Sequence, residues 1–161
     1  MLKVAVITIS DRAAKGEYAD LSGPRIKEIL LERLPGVNVV QAIVADEKEA
    51  IASVLNQNLD MDYILTTGGT GLSPRDITPE VCAQICDRDL PGVSEWLRHE
   101  SLRETPHAVF SRAYSGQKGK TIIVNFPGSL RGAELCATLM AGVMVHGRDM
   151  AHGGRHETSS S

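Results

Sequence analysis

Apolar positions along the chain follow two alternating rhythms. Short runs rich in β-branched residues, Val4 to Ile9, Val37 to Val44, Tyr63 to Thr66 and Thr121 to Asn125, read as strands. Their nearly continuous apolarity suits strands covered on both faces, as in a parallel sheet. Between them, apolar residues recur at helical spacing. Ile26, Ile29, Leu30 and Leu34 follow Ser22-Gly23-Pro24, which offers a cap and a proline near the first helical position, and Pro35-Gly36 stops the helix. Ile51, Val54 and Leu55 mark one face of a helix over Glu47 to Leu59. Thr78 is placed to cap a helix running to about Cys86, with Pro79 at its first position and Glu80 favourable against the helix dipole. Further helices are predicted over Pro91 to Arg103 and from Leu130 towards Val145. Strands alternating with helices imply right-handed crossovers and an α/β protein, its mostly parallel sheet covered on both faces.

In such sheets ligands bind beyond the carboxyl ends of the strands. The informative polar residues fall there. Ser10-Asp11-Arg12 follows the first strand, Asp46 the second, a glycine loop the third, and Asn125 to Ser129 a later one.

Length and composition narrow the partners. A chain of 161 residues, 42% hydrophobic, fits one core. A single domain is expected over 1–150, followed by a flexible polar tail over 151–161. Seventeen basic against 20 acidic residues leave a formal charge of −3, so no nucleic-acid surface is expected. Cys82, Cys86 and Cys136 are few and odd in number, which fits reduced thiols in a cytoplasmic protein. Met1-Leu2-Lys3 runs straight into the first strand without a basic-then-apolar leader. No uncharged apolar run is long enough for a bilayer, so no membrane partner is expected.

Thr66-Thr67-Gly68-Gly69-Thr70-Gly71 has the composition of an anion cradle, because a backbone without Cβ atoms bends sharply and brings its N–H groups close to phosphate oxygens. The same residues also suit a plain tight turn. The loop is neither a dinucleotide fingerprint, since Pro74 occupies the last glycine position, nor a P-loop; Gly119-Lys120-Thr121 has Tyr114 where the leading glycine belongs. Asp76 lies just beyond, close to a helix N-terminus that favours its ionised form. A carboxylate beside a phosphate cradle is repulsive unless a divalent cation lies between, and Mg²⁺ takes one or two carboxylates plus phosphate oxygens. Asp46 is a candidate for the second carboxylate. The competing readings are a helix cap for Asp46 and a surface turn for Asp76.

The stretch Thr67-Gly68-Gly69-Thr70-Gly71-Leu72-Ser73-Pro74-Arg75-Asp76-Ile77-Thr78-Pro79-Glu80 resembles the signature of the Mog/MoaB family of molybdenum-cofactor biosynthesis proteins. Ile9 to Arg12, Asp46-Glu47, Leu90-Pro91-Gly92 and Asn125 to Ser129 agree in order and spacing, and the resemblance covers roughly residues 3 to 145. It implies a three-layer α/β/α sandwich with a Rossmann-like sheet, the molybdopterin-binding fold, assembled as a homotrimer. It also implies a reaction: the terminal phosphate of molybdopterin attacks the α-phosphorus of MgATP, giving adenylylated molybdopterin and pyrophosphate, and the product passes to a molybdate-inserting protein. On this resemblance Asp46 and Asp76 match the two essential acidic positions, with metal binding and orientation as their role. Gly68, Gly69, Thr70 and Gly71 match the nucleotide and phosphate loop. Ser10, Asp11 and Arg12 match the first site loop, Ser129 falls in a Pro-Gly-Ser anion turn, and Ser73 and Arg75 belong to the substrate-site loops. Arg75 or Arg12 is the expected partner of phosphate charge.

Two other classes remain open: a binding protein that holds or delivers the pterin without chemistry, and a nucleotide hydrolase. Other features read as structure. Cys82 with Cys86, and Met140 with Met144, have helical spacing and suit core packing. Trp96 suits packing on the sheet or a neighbouring subunit. His146, Asp149, His152 and His156 are expected in a flexible, solvated segment, not in a metal site.

Overall fold

Strand β1 (Lys3–Ile9) pairs in parallel with β2 (Asn38–Val44) on one side and β3 (Tyr63–Thr67) on the other. After β4 (Arg88–Asp89) and β5 (Ser115–Lys118), strand β6 (Thr121–Phe126) returns beside β3, again in parallel. The sheet order in this computed structural model, which describes residues 1–154, is β2-β1-β3-β6-β5-β4. Only β5 and β4 break the parallel pattern: β5 runs against β6, and β4 against β5. Neither was legible as a strand, because Ser-Gly-Gln-Lys and Arg-Asp carry no apolar run and rely on the neighbouring ladder.

Side chains alternate across the pleat. Val4, Val6, Tyr63, Leu65, Val124 and Phe126 face one helical layer, built from α2 (Ser22–Arg33), α5 (Pro91–Leu102), α6 (Leu130–Ala141) and α7 (Met144–Ala151). Ala5, Ile7, Ile9, Ile64 and Ile123 face the other, built from α3 (Lys48–Gln57) and α4 (Thr78–Ile85). The result is the three-layer α/β/α arrangement. A single turn, α1 (Asp11–Ala14), follows β1 directly. Cys82, Cys136, Met140 and Met144 are buried in these cores, and Trp96 packs against the first of them. Among the described residues no helix is long and apolar enough to cross a membrane.

The predicted helix from Leu130 towards Val145 is two helices. The amides of Gly142 and Val143 bond to carbonyls three residues back, at Leu139 and Met140, and this tightened turn ends α6. His146 and Asp149 then lie within α7, where a flexible segment was expected. The helix is held at the amino ends of the strands: Tyr63 Oη donates to the Met144 carbonyl at 2.8 Å, and His152 Nε2 lies 3.2 Å from Asp62 Oδ1. Only a glycine fits at 147, since a Cβ there would lie 2.3 Å from Tyr63 Oη. His156 and the serine-rich end lie outside the described residues.

Ile123 is fully buried in β6. Ile123→Ala is expected to lower unfolding free energy by about 2–5 kcal/mol, from lost burial plus a cavity. Urea denaturation followed by circular dichroism measures this, and a loss under about 1 kcal/mol would contradict the assigned core.

Candidate active site

Two strand ends are clasped by their own aspartates. The amide of Asp11 donates to Asp46 Oδ2 at 3.0 Å, and the amide of Asp46 donates to Asp11 Oδ1 at 3.0 Å. Ser10 Oγ accepts from the Ala13 amide and caps α1, which fixes Asp11 and Arg12 at the end of β1. Asp46 is therefore not a helix cap; Glu47 occupies the cap position of α3 without a side-chain bond.

The glycine loop closes on the same place. Gly68 and Gly69 adopt φ of 103° and 69°, the left-handed region that favours glycine. A Cβ on Gly68 would lie 2.2 Å from the Ile9 carbonyl oxygen, so the loop touches the end of β1 backbone to backbone. A Cβ on Gly69 would lie 2.2 Å from Thr78 Oγ1 and 3.1 Å from Asp46 Oδ1. Thr78, expected to cap α4, does something else: its hydroxyl donates to the Gly68 carbonyl at 3.2 Å, and its amide to the Gly69 carbonyl at 3.2 Å. The hydroxyl is drawn across to the loop, and Ile77 is left at the cap position with no side-chain bond.

Asp76 reaches the loop from its far end. Its Oδ2 accepts the Ser73 amide at 3.0 Å, and a Cβ on Gly71 would lie 2.9 Å from that oxygen. Asp46 thus adjoins Gly69, and Asp76 adjoins Gly71. Burial, then the charges of Asp11 and Asp76, raise the Asp46 carboxyl above its ordinary value. The Arg75 guanidinium does the opposite for Asp11 and holds its carboxyl low. Arg75 forks onto Asp11, Nε to Oδ2 at 3.0 Å and Nη2 to Oδ1 at 2.9 Å, and Nη2 also meets Glu47 Oε1 at 2.9 Å. It is thus engaged with carboxylates of the chain. Arg12 lies over the Tyr18 ring, 5.2 Å from its centroid.

Asp46 and Asp76 each have one oxygen on a backbone amide. Among the described residues no three His, Cys, Asp or Glu side chains gather as a metal-binding group. A divalent ion here would take two carboxylates at most and complete its shell with water and phosphate oxygens. That donor set suits Mg²⁺.

Beside the loop lies a cavity of about 570 Å³, with neither Asp46 nor Asp76 in its lining. Thr70, Gly71, Asn125 and Ser129 form one end of it. Residues of α5, of α6 and of a 3-10 helix (Pro106–Phe110) form most of the rest, including Leu97, Leu135 and Phe110, with Ser111 and Ala113 beside them. The turn after β6 borders the cavity. Thr67 Oγ1 donates to the Pro127 carbonyl at 2.7 Å, Ser22 Oγ to the Gly128 carbonyl at 3.1 Å, and Ser129 caps α6 by accepting the Gly132 amide. A Cβ on Gly128 would lie 3.3 Å from Gly68 Cα, so this turn and the glycine loop are in contact.

Sequence reasoning missed Arg112. Its amide donates to the Thr70 carbonyl at 2.9 Å, its Nε to the Gly71 carbonyl at 2.8 Å, and its Nη2 to the Asp76 carbonyl at 2.6 Å, while Nη1 pairs with Glu80. The residue stands in a polar stretch with no periodicity, and no local signal marks it. The role of Asn125 was equally hidden. Buried, it accepts from the Tyr114 amide at 3.1 Å and donates to Thr66 Oγ1 at 2.9 Å, joining β6 to its neighbours.

Residues 5–146 match the family model described as "Probable molybdopterin binding domain". The chain is 41% identical over 139 residues to the molybdopterin adenylyltransferase of Helicobacter pylori strain ATCC 700392 / 26695, covering 84% of this chain and 79% of that protein. It is 34% identical to the molybdopterin adenylyltransferase of Escherichia coli K12, over 79% of this chain and 67% of that one. The crystal structure of the molybdopterin biosynthesis enzyme MoaB of Thermus thermophilus superimposes with a TM-score of 0.86 at 38% identity, covering 95% of this chain and 98% of that chain.

Two outcomes follow from the loop and its carboxylates. Gly68→Ala is expected to cost about 1–3 kcal/mol for the left-handed backbone alone, with more from the approach to Ile9. Thermal denaturation tests it, and an unchanged midpoint would contradict the loop conformation. The raised Asp46 carboxyl weakens the fold wherever it is ionised. Asp46→Asn should therefore raise the melting temperature at neutral pH, with the gain shrinking as pH falls towards 3.8, the ordinary carboxylate value. A lower melting temperature at pH 7 would reverse that sign.

Proposed function

The chain belongs to the molybdopterin-binding-domain family shared by the Mog and MoaB proteins, and on that premise we propose that it transfers the adenylyl group of MgATP to molybdopterin and releases pyrophosphate. One observation carries the reading: the contact between Gly68 and Gly128 sets the glycine loop and the Pro-Gly-Ser turn side by side. Adenylyl transfer needs two phosphates held next to each other, one to attack and one to be attacked.

In this reading the carboxylate side of the loop takes the triphosphate, and the cavity takes the pterin. The Gly69, Thr70 and Gly71 amides bind oxygens of the α-phosphate. Ser129 and the first turn of α6 bind the terminal phosphate of molybdopterin, favoured by the helix dipole. The cavity behind them, with Leu97, Leu135 and Phe110 in its walls, suits a flat heterocycle. An oxygen of the molybdopterin phosphate forms a bond to the α-phosphorus, and the bond from that phosphorus to the bridging oxygen of pyrophosphate breaks. The attacking phosphate is already anionic near neutral pH, so no side chain needs to remove a proton. In this reading Asp46 and Asp76 would hold Mg²⁺, which would neutralise charge on the α-phosphate and on the departing pyrophosphate. Arg75 then acts by fixing Asp11, which in turn holds the Asp46 backbone.

The proposal extends to a homotrimer, to a cytoplasmic setting that keeps Cys82, Cys86 and Cys136 reduced, and to a molybdate-inserting protein that receives the product.

Incubation with molybdopterin, ATP and Mg²⁺, followed by assay of pyrophosphate and adenylylated pterin, tests the reaction. Asp76→Asn should lower turnover by about 100-fold or more while the fold and molybdopterin binding persist. Normal turnover by this variant would remove Asp76 from the machinery. Wild-type protein that binds molybdopterin yet releases no pyrophosphate would be a carrier, and pyrophosphate or AMP released without pterin would mark a hydrolase.

A further inference from the structure

The segment that bears Asp76 closes on itself between Ser73 and Asp76 and otherwise lies on the surface. Leu72 to Arg75 are all exposed, and Leu72 is 67% exposed. Arg112 grips this excursion at both ends, through the Thr70 and Gly71 carbonyls on one side and the Asp76 carbonyl on the other. Glu80 holds the remaining guanidinium nitrogen. A planar guanidinium bridges two carbonyls and a carboxylate at once, and an ammonium does not match that geometry.

Arg112 sits between two residues of the cavity wall. Its neighbours Ser111 and Ala113 both line that space. Their carbonyls are fixed in turn by Arg98, from Nε to Ser111 at 2.8 Å and from Nη2 to Ala113 at 2.7 Å. One short strip of backbone thus faces the cavity with its flanking residues and the Asp76 segment with its central side chain.

We propose that Arg112 is a positioning residue that makes filling the cavity and seating the metal-bound nucleotide on Asp76 a single coupled event. A ligand pressing on Ser111 and Ala113 settles the strip, and the guanidinium passes that order to Gly71 and Asp76. The coupling is reciprocal: nucleotide and metal on Asp76 tighten the cavity wall by the same factor. This rests on the adenylyl-transfer reading for the identity of the ligands, and on the geometry alone for the coupling.

The experiment compares the full-length wild type with Arg112→Ala and Arg112→Lys. Pyrophosphate release from molybdopterin and ATP is followed across a Mg²⁺ titration. Hydrogen exchange of the 71–76 amides is followed with and without molybdopterin. In Arg112→Ala, kcat should fall about 10- to 100-fold. Half-saturating Mg²⁺ should rise about tenfold. Molybdopterin should still bind, and the 71–76 amides should exchange faster and no longer respond to it. Added guanidinium should restore part of the rate. Arg112→Lys, which keeps the charge and loses the bridge, should resemble Arg112→Ala; if the alanine variant fails to fold, the lysine variant carries the same measurements.

Wild-type Mg²⁺ dependence and kcat in Arg112→Ala would overturn the coupling, as would full recovery by lysine or exchange in 71–76 that still responds to molybdopterin. Wild-type protein that releases no pyrophosphate would instead overturn the adenylyl-transfer reading. The exchange measurement would then decide the coupling by itself.

Discussion

The arrangement hangs on backbone meeting backbone at Gly68. The loop after β3 passes so close to the Ile9 carbonyl that no side chain fits between, and Gly128 closes on Gly68 from the other side. Three strand ends, those of β1, β3 and β6, are thereby brought within one another's reach. Everything polar in the site is arranged around this contact: Asp46 against Gly69, Asp76 against Gly71, and Ser129 one residue beyond Gly128. A bulkier loop would push the glycine loop and the turn after β6 apart, and the carboxylates with them.

The charges around the loop divide into two kinds. Asp11 is neutralised within the chain by Arg75, and its low carboxyl is the sign of a satisfied pair. Asp46 is half-buried near like charges and takes one hydrogen bond from Asp11, and its carboxyl is raised chiefly by that burial. The two residues clasp each other's amides, yet their electrostatic situations are opposite. Under the proposed function the cation would fall to Asp46, because a carboxylate already paired with an arginine has less charge left to offer.

What was legible in the residues was what local pattern can encode. Four apolar strands, the helices between them and the glycine loop all announce themselves through periodicity or composition, and the long signature from Thr67 to Glu80 carries the family. Long-range partners were hidden. Thr78 sits where a cap belongs, and only the folded loop shows its hydroxyl turned to Gly68. Arg75 reads as a phosphate ligand until Asp11 and Glu47 arrive from two other strand ends. Arg112 has no local mark, because its meaning comes from carbonyls 36 to 41 residues away. Strands β4 and β5 were missed for the same reason: their register is dictated by β6, not by their own side chains.

The last helix ends the chain's described part at the opposite pole from the glycine loop. The His152–Asp62 contact and the Tyr63 hydroxyl fasten α7 where the parallel strands begin, whereas the loop and its carboxylates lie where they finish. The molecule is therefore vectorial. Gly154, the last described residue, thus sits at the blunt end of the sheet, and a linker or label fused there would start away from the glycine loop.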